Sequence, residues 1–95
     1  MLKTLEGKEI KSEMDFHVAI AGALDFPRHY GKNLDALWDV MARDVERPVT
    51  LVWRNSEASR AALGERFETI VGVLRRAEQQ DLDSGWDERF ELRLE

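Results

Sequence analysis

Six residues, Pro48-Val49-Thr50-Leu51-Val52-Trp53, constrain the fold of this chain more than any other stretch. They are largely apolar on both alternations, which is the pattern of a buried strand covered on both faces. A strand of that kind belongs at the centre of a sheet, and the segments around it have to supply the cover. Most of those segments have helical periodicity, so the chain reads as α/β from its middle outwards.

The opening, Met1 to Leu5, reads as a short strand ended by the turn Glu6-Gly7-Lys8. Ser12 with Asp15 three residues later resembles an N-cap, and Phe16, Ile20, Ala23 and Leu24 then form one apolar stripe of a first helix closed by Pro27. Asn33 is the natural cap of a second helix, with Gly31 as the flexible residue of the preceding turn. Leu34, Leu37, Met41 and Val45 fall together on that helix, and Trp38 lies at the edge of the stripe.

After the central strand, Ser56 can cap a short helical segment interrupted by Gly64. Phe67, Ile70, Val71, Leu74 and Ala77 then mark a longer helix running to about Gln80 and weakened by Gly72. A polar link, Asp81 to Gly85, precedes Phe90 to Glu95, whose alternation is that of an edge strand with one buried face. Strands separated by helices predict a small three-stranded parallel sheet joined by right-handed crossovers, with the helices packed on it.

Ninety-five residues allow one domain, residues 1–95, with one core. The longest apolar run, Val18-Ala19-Ile20-Ala21, is far too short to cross a bilayer, and the N-terminus lacks the apolar centre of a signal peptide, so a cytoplasmic location is expected. The absence of cysteine rules out disulfides and thiolate chemistry and fits a reducing compartment. A net charge of −5, with no basic cluster beyond Arg75-Arg76, argues against direct nucleic-acid binding and for a basic protein partner. No phosphate-binding, dinucleotide or nucleophile-elbow motif is present, which leaves no small-molecule substrate or cofactor indicated.

The chemistry concentrates in Tyr30-Gly31-Lys32-Asn33-Leu34-Asp35-Ala36-Leu37-Trp38-Asp39. Asp35 and Asp39 stand one helical turn apart on the same side, a doubly negative surface that weakens the helix by a few tenths of a kcal/mol, about the cost of a like-charged pair. Asp35 alone has an ordinary explanation, since a carboxylate in the first turn is stabilised by the free N–H groups there. Asp39 lies beyond that help, and as a lone exposed acid it would be unremarked. Two acids side by side on one helix do not flank a substrate cleft, so acid–base catalysis is a poor reading. His17 and His29 are too few for a metal site, and His17 reads as a surface residue. Trp53 and Trp86 read as core or half-buried anchors. Trp38, between apolar stripe and acids, suits an interface.

That run resembles the YGxNLDALWD signature of the barstar family of ribonuclease inhibitors. The similarity is dense from Tyr30 to Trp53 and continues in the opening strand, the capped first helix, the break at Glu46-Arg47-Pro48 and the final helix around Val73-Leu74-Arg75. It implies a barstar-like fold and a non-enzymatic intracellular protein that plugs the active site of a small, basic microbial ribonuclease, its acids standing in for RNA phosphates. Gly31, Asn33, Leu34, Asp35, Trp38 and Asp39 carry over by residue match, and His29 and Asp44 complete the expected contact from the turn and the following loop. Four positions depart from the best-known member of that family: His29 stands where it has a tyrosine, Arg43 a glycine, Asp44 a tryptophan and Arg76 a glutamate. Such changes leave room for an alternative, a binding or immunity module of the same fold directed at a different basic toxin or regulator.

Overall fold

The computed structural model describes every residue from 1 to 95. Strands β1 (Leu2–Glu6), β2 (Val49–Arg54) and β3 (Phe90–Leu94) form one parallel sheet in the order β1-β2-β3. Parallel neighbours need long connections, and each one here is a pair of helices. Helices α1 (Glu13–Ala23) and α2 (Leu34–Arg43) link β1 to β2, and α3 (Ser56–Leu63) and α4 (Glu65–Asp83) link β2 to β3. The expected α/β class and three-stranded parallel sheet are what the chain forms.

The register places Leu5, Trp53 and Leu94 side by side, and Lys3, Leu51 and Leu92 beside them, on the face that carries the core. Trp53 is its centre. The indole stacks on Phe16 with centroids 5.2 Å apart, lies 5.0 Å from Phe67, and donates its N–H to Ser59 Oγ at 3.1 Å. Ser59 in turn donates to the carbonyl of Gly7 at 2.8 Å, so this buried polar pair is satisfied.

The other face differs from expectation. Leu2, Thr4, Glu91 and Arg93 are exposed there, so the helices cover one face and not two. Val52 reads as doubly covered because it is only 5% exposed, yet its shield is lateral: it lies between Thr4 and Arg93 of the flanking strands. A central strand with neighbours on both sides can lose its water without a helix above it.

Helix α4 closes the outer edge of β3. Asp81 accepts from the Phe90 N–H at 2.8 Å, Glu78 from the Leu92 N–H at 2.8 Å, and Arg75 donates to the Leu92 carbonyl at 2.9 Å. Three side chains at helical spacing therefore do the work of a fourth strand, which protects an edge that would otherwise invite pairing.

Local signals mark the helix ends with two exceptions. Ser12 caps α1, its hydroxyl accepting from the Asp15 N–H at 3.0 Å, and Gly64, at φ +60°, separates α3 from α4. Ser56 is no cap: it is the first residue of α3, and its hydroxyl donates to the Glu95 carbonyl, while Asn55 before it adopts φ +51°. The link proposed at Asp81 to Gly85 begins late, because α4 runs on to Asp83 and buries Asp81 completely. Trp86, just past that link, is 48% exposed and anchors nothing in the core.

Candidate functional site

Asn33 sets the geometry of α2. Its side-chain oxygen accepts from the Ala36 N–H at 2.8 Å, and its amide donates to the Gly31 carbonyl at 3.4 Å. The side chain is thus engaged in holding the turn to the helix it opens. The residue with positive φ in this turn is Lys32, at +53°, and not Gly31 as expected. Space at 31 is tight: a Cβ there would come within 3.2 Å of the Ala36 Cβ and 3.3 Å of the Asn33 amide, which would have to shift by a few tenths of an ångström.

Leu37, Val40 and Met41 face the core and Leu34 is half-buried, which rotates Asp35 and Asp39 to the solvent side. Both carboxylates are exposed, and neither takes part in an ion pair with the chain's own cations. Trp38 is half-buried between them and α4, with the Arg76 guanidinium 4.5 Å from its ring centroid.

Beside α2 lies an open hollow of about 180 Å³. His29 and Gly31 of the turn line one side, Ala36, Asp39 and Val40 of α2 line another, and Asp44 closes it at the helix C-cap. Four of the residues singled out by sequence, His29, Gly31, Asp39 and Asp44, therefore share one concavity. Asp35 adjoins it one turn before Asp39, Trp38 lies on the side of α2 toward α4, and Leu34 and Asn33 lie outside its lining.

The remaining wall is Tyr30, 7% exposed and held from within. Its hydroxyl lies 2.6 Å from Nδ1 of His17, whose Nε2 lies 3.0 Å from Glu13, and Glu13 accepts from Arg66 Nε at 2.9 Å. Burial pushes the Glu13 carboxyl up, but hydrogen bonds from His17 and Arg66 outweigh it and hold the group below its ordinary 4.5. An ionised Glu13 only accepts, so Nε2 of His17 donates to it, and Nδ1 is hydrogen-bonded to the Tyr30 hydroxyl. His17, 1% exposed, is thus an interior residue and not the surface one expected from sequence. Its helical position could have revealed this, since it stands three residues before the core residue Ile20 and four after Glu13.

The far end of α2 is held by a second buried group. Arg47 donates to both carboxylate oxygens of Asp81 at 2.8 and 3.2 Å, and to the carbonyls of Met41 and Val45 at 2.7 Å each. Asp44 lies between those two carbonyls in sequence, so the bridge fixes the rim that carries it. The signal for Asp81 was present: Ile70, Leu74, Ala77 and Asp81 continue one stripe at spacings of four, three and four.

No group of three or more histidine, aspartate and glutamate side chains is placed to hold a metal ion, and no helix is long and apolar enough to cross a membrane. What the surface offers is negative charge beside an aromatic and a hollow, a combination suited to receiving cationic side chains. Residues 1–94 match the family model described as "Barstar (barnase inhibitor)". The chain is also 36% identical over 76 residues, 80% of its own length and 84% of the relative's, to a protein of Bacillus subtilis (strain 168) named "Putative ribonuclease inhibitor YrdF".

Proposed function

The chain belongs to the barstar family, a family of inhibitors and not of enzymes, and from that premise we propose that α2 and the hollow beside it occlude the active site of a basic microbial ribonuclease in the cytoplasm. The observation that carries this reading is the pair Asp35 and Asp39, exposed, unpaired and held on a rigid helix. A carboxylate left without an internal cation is free to meet an external one, and the helix fixes both at a spacing the partner can match.

A ribonuclease cleft presents arginine and lysine side chains to the phosphates of RNA. Asp35 and Asp39 take the place of those phosphates through charge-assisted hydrogen bonds, and Asp44 and His29 extend the contact around the hollow. Trp38 and the half-buried Leu34 supply the apolar surface that excludes water around the ion pairs, which strengthens them. Gly31 and Asn33 act by shaping the turn. No bond is made or broken: inhibition is occupancy of the cleft.

The test is a titration of the purified chain into a panel of basic microbial ribonucleases, barnase among them, with RNA cleavage as readout. Stoichiometric loss of cleavage by at least one enzyme is the expected result. Full cleavage throughout the panel at micromolar inhibitor would overturn the reading.

A further inference from the structure

We infer that Arg76, seated on Trp38, is a specificity-determining residue that requires the bound ribonuclease to present a carboxylate at the rim of its cationic cleft. The inference rests on the inhibitor reading above and adds a charge of opposite sign to the binding face.

The geometry separates Arg76 from the other arginines of its helix. Arg66 is bonded to Glu13, and Arg75 is bonded to Glu78 and to the Leu92 carbonyl at the sheet edge. Arg76, one residue on and so about 100° further round the helix, points instead to α2, where its guanidinium lies 4.5 Å from the Trp38 centroid. It is exposed and forms no ion pair. Trp38 therefore supports the guanidinium of Arg76 from one side, and none of its N–H donors is bonded within the chain.

Asp35 lies between Trp38 and Asp39 on the surface of α2, three residues before the one and four before the other, so the exposed side of the helix runs from a positive position at the indole to two negative ones. A partner cationic across its whole surface would meet Arg76 as a like charge, which costs affinity and discriminates against it. A partner with a carboxylate at that point gains a bidentate pair with a side chain already held against the indole, so little further ordering is lost on binding.

The experiment uses the full chain, its Arg76→Glu, Arg76→Lys and Asp39→Ala variants, and barnase carrying single Glu or single Lys substitutions around its cleft. Dissociation constants are measured for each pair, and circular dichroism melts verify that each inhibitor variant is folded. The expected result is one rim position at which Glu tightens binding to the parent by about tenfold and Lys weakens it, with the two signs exchanged for Arg76→Glu. Arg76→Lys should keep the parent's preference in weaker form, an outcome that a purely structural contact with Trp38 would not produce. Binding that Asp39→Ala weakens but that ignores the charge at residue 76 overturns the role of Arg76 alone. Absence of binding by every inhibitor variant to every barnase overturns this inference, while the inhibitor reading stands or falls with the full ribonuclease panel.

Discussion

The hydroxyl of Tyr30 lies 2.6 Å from Nδ1 of His17, so the wall of the hollow that holds Asp39 is fastened from inside the protein. Tyr30→Phe keeps the ring and its edge-on packing against Phe26 but leaves a buried imidazole nitrogen without a partner. The expected cost is about 1–3 kcal/mol. Urea unfolding should show a lower midpoint with an unchanged slope; an unchanged midpoint would remove the bond from the account.

The same group makes stability depend on pH at both extremes. Glu13 is held below 4.5, so its contribution is present above that value and is lost as pH falls through the folded value. Glu13→Gln should flatten the acid limb of the stability curve. Burial, followed by the charge of Glu13, holds the Tyr30 phenol well above its ordinary 10, so its contribution is present below pH 10 and is lost as pH rises through the folded value. Because Tyr30 is the only tyrosine, phenolate absorbance reports it alone. No phenolate step should be seen near pH 10 while the protein is folded.

Asp81 is fully buried and serves both Arg47 and the Phe90 N–H. Asp81→Ala strands a cation whose side chain is 11% exposed, and the expected loss is about 3–5 kcal/mol by chemical denaturation. Asp81→Asn retains an acceptor and should lose less. Equal stability of Asp81→Ala and parent would mean that the bridge does not hold α2 to α4.

Much of the fold was legible because periodicity reports one-sided burial. Phe16 with Ile20, Leu37 with Met41, and Phe67 with Ile70 and Leu74 each announced a helix and the side it buries. The capping residues Ser12 and Asn33 announced where two helices begin. The helical positions of His17 and Asp81 mark them as interior, but the partners that satisfy them were illegible because they lie far along the chain: Tyr30 for one, Arg47 for the other. At the site, the acids and Trp38 were readable from helical spacing. The hollow was not, because it depends on how the turn at His29 folds back against the end of α2.

Two glycines respond oppositely to alanine. A Cβ at Gly7 would fall 2.1 Å from the Asn55 carbonyl oxygen and 2.6 Å from that of Arg54, which the backbone has to move to accept. Gly7→Ala should therefore destabilise by about 1–3 kcal/mol or more. Gly72 lies inside α4 with nothing within 4 Å of its added Cβ, and Gly72→Ala should stabilise by roughly 0.5–1 kcal/mol through helix propensity. Thermal melts of the two variants distinguish these outcomes.

In the proposed complex an unpaired carboxylate on α2 occupies a cationic ribonuclease cleft, and Asp39 is the group on that helix that both lines the hollow and faces solvent. The most direct measurement is the association and dissociation kinetics of parent and Asp39→Ala with an inhibited ribonuclease, at low and high salt. Asp39→Ala should lose about 2–5 kcal/mol, mostly as faster dissociation, and association by the parent should slow as salt rises. Matching kinetics for parent and Asp39→Ala, with no response to salt, would contradict that mode of binding.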